Sequence, residues 1–323
     1  MSEPVNSEGA SARIVAATPL HYAEDYPNED VPRYVRGGSS LRVWKDALWI
    51  VQDDISALAI VSPTPPHATR ALLLPRGHAG RRTFGSSIGN KKHKLDLEAS
   101  IVLPDGRYVA FGSGSSALRP REVLVVVEPD QSFRMIDAKA LYASWRENHA
   151  FAGNDLNLEG TLVVDDDIWF FQRGNSVQSD NAIATMPVSD FVRYLTDGTV
   201  PSFTHVEPFA LGEVRGVPWG TTDAAQTPTG EIFAIAAAED TDNPYDDGDI
   251  LGSILVRLEG RSLPRVRYHT VPILDLDGTP TQRKIEGLDY HSGGRDGAPC
   301  RLWAVTDEDD EEAVSELLVI EVP

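Results

Sequence analysis

The chain has 323 residues, 41% hydrophobic and 24% charged, with 49 acidic side chains against 29 basic ones for a net charge of −20. That suits one large globular domain or two ordinary ones, a globular rather than a disordered composition. The charge excludes a sequence-independent grip on nucleic acid or anionic lipid, each of which needs a basic face. The single cysteine, Cys300, excludes an intrachain disulfide and a cysteine-rich zinc site.

Met1 to Ala12 is polar and lacks the apolar core of a signal peptide, so a cytoplasmic protein is expected, with residues 1–11 a disordered tail. No apolar run approaches the roughly 18–20 residues of a membrane span. Residues 12–18 read as a lone strand, and 40–44 and 47–52 as a β-rich pair ending in Asp53-Asp54. Residues 62–94 are rich in Pro, Gly and basic side chains, a loop long enough to cover a site.

From here one pattern recurs. Leu95-Asp96-Leu97-Glu98-Ala99, Leu156-Asn157-Leu158-Glu159-Gly160, Thr221-Thr222-Asp223-Ala224 and Lys284-Ile285-Glu286-Gly287 each place a carboxylate before a small residue. A turn and a second β-rich run follow each. The first pair is a weaker copy with Ser40 in the carboxylate's place. Spacings are 58 (40 to 98), 61 (98 to 159), 64 (159 to 223) and 63 (223 to 286). Strands expected at 97–103, 107–112, 123–128 and 133–137 give four per repeat, as do 158–164, 167–172, 181–187 and 202–209. The next repeat gives 221–227, 231–238, 250–258 and 266–273. The last has three, and the N-terminal strand supplies its fourth. The expected fold is all-β, a single five-bladed β-propeller over 12–323, four strands per blade, its ring closed by that strand. Residues 138–148 and 189–196, with Ser189 as N-cap, read as short helices between blades.

In a propeller the first strand of each blade lines the channel, and the loop leaving the second strand returns to the same mouth. This places Ser40, Glu98, Glu159, Asp223 and Glu286 in one ring. Around it fall Asp53, Asp54, Ser113, Arg173, Asn175, Glu239, Asp240, Asp307 and Asp309. Four bare carboxylates aimed at one axis repel each other, so a cation, raised pKa values, or pairing with Lys94, Arg173 and Lys284 is expected. A hard cation with oxygen ligands fits best. Ca²⁺ takes six to eight of them, Mg²⁺ demands a tighter octahedron, and zinc would want His or Cys.

These residues resemble the five-bladed propellers of the calcium-activated nucleotidase (apyrase) type, which hold one central Ca²⁺ with a Ser, Glu, Glu, Ser, Glu set. The chain offers Ser40, Glu98, Glu159, Asp223 and Glu286 in that order. Leu48-Trp49-Ile50-Val51-Gln52-Asp53-Asp54, Trp169-Phe170-Phe171 with Arg173, Glu239-Asp240 and Lys284-Ile285-Glu286-Gly287 are also similar. Ile55 stands where those proteins have an arginine, and their arginine pair is reduced to Arg173-Gly174. The chain is also similar to an uncharacterised bacterial propeller group related to esterase-like phytases, through Gln172-Arg173-Gly174-Asn175, Ala237-Ala238-Glu239-Asp240-Thr241-Asp242 and Val305-Thr306-Asp307.

The resemblance implies a Ca²⁺-dependent hydrolase of a small anionic substrate, with phosphate esters or anhydrides ahead of carboxylic esters and lactones. Asp53, Asp54, Glu239 and Asp307 are the expected acid–base groups and Arg173 the anion contact. Lys94, Ser113, Asn175, Asp240 and Lys284 are expected at the substrate. The competing class is a propeller that binds a ligand or protein around a structural ion.

Overall fold

The computed structural model describes residues 10–115, 120–174, 181–240, 249–260, 267–294 and 298–323. After β1 (Ala12–Pro19), β2 (Gly38–Trp44), β3 (Ala47–Gln52), β4 (Ala57–Val61) and β5 (Thr69–Leu73) form an antiparallel meander. A second is β6 (Leu97–Val102), β7 (Tyr108–Gly112), β8 (Val123–Val127) and β9 (Phe133–Asp137). Helices α1 (Lys139–Glu147) and α2 (His149–Ala152) lead to a third: β10 (Leu158–Val164), β11 (Asp167–Gln172), β12 (Asn181–Pro187), helix α3 (Val188–Asp197) and β13 (His205–Phe209). A two-stranded ribbon, β14 (Glu213–Val214) and β15 (Val217–Pro218), precedes β16 (Gly220–Gln226), β17 (Ile232–Asp240), β18 (Asp249–Glu259) and β19 (Arg267–Leu274). β20 (Ile285–Ser292), β21 (Cys300–Thr306) and β22 (Glu316–Val322) end the chain.

The local reasons are legible. β7 and β8 are buried along their whole length, because sheets cover both faces, whereas outer β9 is only half-buried. Lys45 and Asp46, with φ of 51° and 61°, make the tight turn that reverses β2 into β3.

The fold is mostly β and propeller-like. β2 packs on β6, β6 on β10, β10 on β16, β16 on β20 and β20 on β2, so the first strands of the groups close a ring. Five apolar clusters fill the spaces between successive groups. One joins Trp49 to Tyr108, another Phe111 to Phe170, and the last Leu41 to Val305.

Some expectations need correction. β1 pairs antiparallel with β22 as expected, but it also pairs in parallel with β19 at Ala12 and Arg13. The last two groups are therefore one eight-stranded sheet rather than separate sheets. Helix α3 starts at Val188 with Pro187 as N-cap, so Ser189 lies inside it, and it interrupts one sheet rather than linking two. The expected tail falls largely outside the described residues, as do Asn175, Thr241 and Asp242.

Candidate functional site

Each inner strand carries one irregularity at its start. Register shifts occur between Gly38 and Ser40, Leu97 and Ala99, Leu158 and Gly160, Thr221 and Asp223, and Ile285 and Gly287. A bulge leaves one residue unpaired and re-aims its side chain. The unpaired residues are Ser39, Glu98, Glu159, Thr222 and Glu286. Two expected ring positions are thus one residue off: Ser40 and Asp223 occupy the next place, equivalent to Ala99, Gly160 and Gly287.

That next place is small because inner strands meet there. A Cβ on Gly160 would lie 3.0 Å from the Asp223 Cα, and one on Gly287 would lie 2.8 Å from the Leu41 nitrogen. Asp223 is fully buried and bound by Arg42 (2.6 and 2.9 Å), by the Ser40 hydroxyl (3.0 Å) and by the backbone N–H groups of Ala224 and Leu288. Burial raises its pKa to about 6, against the pull of Arg42. With its oxygens spent on Arg42, Asp223 does not join the acidic ring. Ser40 turns to Ser100 and Asp223 instead.

Glu98, Glu159 and Glu286 are near enough to repel one another, with rim groups around them, though the described carboxylates whose oxygens lie within 4.8 Å of one another are Asp53, Asp96 and Glu98. Lys94 Nζ contacts Asp53, Asp54 (3.5 Å) and Asp96 (2.9 Å). Lys284 Nζ contacts Asp309 (2.6 Å), Glu286 (3.0 Å) and Glu239 (3.6 Å). Arg173 reaches Glu239 (3.3 Å), Glu286 (3.5 Å) and Glu159 (3.7 Å). Asp307 is buried nearby and accepts the Asp309 N–H.

Carboxylates outnumber these cations, and the electrostatics follow. Burial and the neighbouring Glu159 push Glu98 well above the carboxylate range; burial raises Glu286 to about 8. Asp307 is raised by burial and Asp309, and Asp54 reaches about 6 through burial and Asp53. Asp96 goes the other way, to about 2: Lys94 and Arg121 overcome its burial.

Ser113, expected at the substrate, has its hydroxyl turned to Asp96, as does Ser115. Asp240 is exposed at the end of β17, outside this cluster. The long loop does reach the mouth. Phe84 is buried in it, Arg81 and Arg82 are spent on Asp30 and Glu29, and the loop delivers Lys94.

Sequence reasoning missed Asp96, Arg42, Arg36 and Arg121. Oxygens of Asp53, Asp96 and Glu98 lie within 4.8 Å of one another. Asp96 precedes β6 and Glu98 sits on its bulge, so strand alternation does not place the two side chains together and gave no signal. The Asp96 backbone is left-handed (φ 57°), a strain that clusters at functional sites. Gly37 is required in the first group, where a Cβ would lie 2.0 Å from Asp53 Oδ1.

A family model matches residues 34–322. The chain belongs to DUF6929, a family of unknown function. No curated protein matches it. Among solved structures it is similar to a luciferin-regenerating enzyme (10% identity, 94% of each chain, TM-score 0.45). It is also similar to virginiamycin B lyase from Staphylococcus aureus (9%, 95% of this chain and 99% of that one, TM-score 0.41). A PQQ-bound aldose sugar dehydrogenase from Streptomyces coelicolor matches at 10%, over 99% and 100% of the chains, with TM-score 0.43. Likenesses this distant assign no function to this family member. Among the described residues no helix is long and apolar enough to cross a membrane.

Proposed function

We propose that the chain is a five-bladed β-propeller whose acidic mouth binds one Ca²⁺ and hydrolyses a small anionic compound, a phosphate ester or anhydride. The observation that carries this reading is the bulge repeated on all five inner strands. It singles out a hydroxyl, acid, acid, hydroxyl, acid series: Ser39, Glu98, Glu159, Thr222 and Glu286. That order follows the nucleotidase-type set more closely than the positions expected from sequence.

The residues fit a hard cation. Oxygens of Glu98, Asp53 and Asp96 lie within 4.8 Å of one another beside Lys94, and Asp53 Oδ1 is buried without a hydrogen-bond partner. The donors are oxygens, with no His or Cys among them. Bound calcium would supply Lewis-acid polarisation of a substrate oxygen and of a water. Asp54, held by Arg36 at 3.0 Å, has a pKa near 6 that suits proton removal from a nucleophile. Arg173, Lys94 and Lys284 would hold the substrate's anionic oxygens. The dense pairing of those three cations with the acids favours the second reading, a ligand-binding propeller without chemistry.

The test is metal content and calcium calorimetry on chelated wild type and Glu159→Gln, followed by turnover of nucleotides and other phosphate esters. One calcium per chain, lost in the variant, with calcium-dependent turnover that Asp54→Asn removes, supports the hydrolase. Calcium without turnover leaves the binding protein, and no calcium at millimolar concentration overturns the metal site.

A further inference from the structure

One side chain stands in the way of the calcium proposed for the mouth. Lys94 ends the long loop, extended after the short turn Lys91–His93, and its side chain is buried. Burial disfavours its charge. Asp53, Asp96, Asp54 and Glu98 nevertheless hold its pKa well above the ordinary lysine value, so it stays an ammonium at neutral pH.

The aspartates around it divide their oxygens. Asp54 Oδ2 accepts from Arg36 at 3.0 Å. Asp96 Oδ2 accepts from Ser113 and Ser115 and faces Arg121 Nη1 at 3.0 Å. Other oxygens of the set face Lys94 Nζ: Asp53 Oδ2 in direct contact, Asp96 Oδ1 at 2.9 Å and Asp54 Oδ1 at 3.5 Å. Asp53 Oδ1 is buried beside them without a hydrogen-bond partner.

A cation bound to Asp53, Asp96 and Glu98 needs these same carboxylates. Calcium stands roughly 2.3–2.6 Å from each ligand, so oxygens around it lie at most about 5 Å apart. The three carboxylates meet that limit, with oxygens within 4.8 Å of one another. Lys94 already holds two of the three, and two cations on one buried oxygen set repel strongly. The lysine is also free to leave, because its flexible four-carbon stem lets Nζ swing while the loop stays anchored. The anchors are buried Phe84, whose N–H binds the Asp54 oxygen and whose own oxygen accepts from Arg36, and Asn90, which binds Gly85 and Thr83.

We propose that Lys94 is a tethered counter-ion that competes with calcium for Asp53, Asp96 and Glu98, so that its withdrawal sets the affinity of the mouth for the metal. This exclusion rests on the calcium reading above. Once freed from the aspartates, the ammonium is available to the anionic oxygens of a substrate.

Calcium calorimetry on chelated wild type, Lys94→Met and Lys92→Met tests this. Lys92 is exposed, and its loss removes the same charge two residues away. Lys94→Met should bind calcium about tenfold or more tighter than wild type, with Lys92→Met within about threefold of it. Equal affinities for the two variants, or weaker binding by Lys94→Met, overturn the exclusion and leave the calcium reading standing. Binding by Lys94→Met alone, with wild type silent up to about 10 mM, supports the exclusion and removes the calcium reading for the natural chain. No binding by any of the three overturns both. Thermal melts show whether Lys94→Met is folded, and lysine acetylation of the wild type, read by mass spectrometry, decides if it is not. Lys94 should be protected without calcium and labelled several-fold faster at saturating calcium, with Lys92 as the internal standard. Unchanged labelling of Lys94 at saturation overturns the proposal.

Discussion

Arg42 and Asp223 are joined by two contacts, Nη2 to Oδ1 at 2.6 Å and Nη1 to Oδ2 at 2.9 Å, with both side chains sealed inside the channel. The same guanidinium donates to the backbone oxygens of Leu41, Thr161 and Leu288. One side chain on β2 thus ties together strands from three other places in the ring.

Removing one partner of this pair strands the other charge in the interior. Asp223→Asn and Arg42→Leu are each expected to cost about 3–5 kcal/mol. The double variant should cost less than the sum of the two, because neither charge is then left alone. Urea melts of the four proteins give the coupling directly. Strict additivity would mean that the pair does not act as a unit.

Glu286 has a pKa of about 8 in the folded chain against an ordinary 4.5, with burial as the main cause. Between those values the folded state holds a proton that the unfolded state has released. The metal-free protein therefore loses stability as pH rises from about 4.5 to 8, and Glu98 and Asp307 act in the same direction. Chelated protein should melt lower at pH 8 than near pH 5. Added Ca²⁺ should raise the melting temperature more at pH 8, where its ligands would otherwise have to shed their charge.

The proposed calcium site makes different demands on neighbouring residues of the bulge register. Ser39→Ala and Thr222→Val are expected to weaken calcium binding about tenfold each, roughly 1.4 kcal/mol. Ser40→Ala should leave calcium affinity alone and cost about 1 kcal/mol of stability through its lost contact with Asp223. Calorimetry and thermal melts on the three variants distinguish this register from the one shifted by a residue.

Cys300 is buried, and burial raises its thiol pKa to about 11. The reactive thiolate is scarce at neutral pH. Alkylation by iodoacetamide at pH 7.5 should be slow in the native protein and should accelerate sharply in denaturant. Fast native labelling would contradict this packing.

The repeat was legible because its causes are local. A carboxylate, a small residue and a turn recur where inner strands approach closely, and the strand spans at 158–164, 167–172 and 181–187 match those observed. The strand register was legible to within one residue. Glu98, Glu159 and Glu286 fall on the bulges of their strands, whereas Ser40 and Asp223 stand one place further along, because a bulge shifts pairing without changing composition. In the fourth group an aspartate one place along imitated the missing carboxylate, while the equivalent position is Thr222. The partner Arg42 was invisible because it meets its carboxylate only through the closed ring, whereas Arg36 meets Asp54 across the β2–β3 hairpin. The bond between β1 and β19 was invisible for the same reason.

The pairing of Arg13 with Glu321 joins points about 300 residues apart, a closure whose entropic cost falls at the end of assembly. Among the described strands, every other antiparallel pair joins strands that are consecutive in sequence, so four of the groups can pair without the chain's first strand. The fifth waits. Until β1 arrives, β22 presents an open edge of hydrogen-bonding groups. During refolding at high concentration, the first strand of a second molecule competes for that edge with the protein's own.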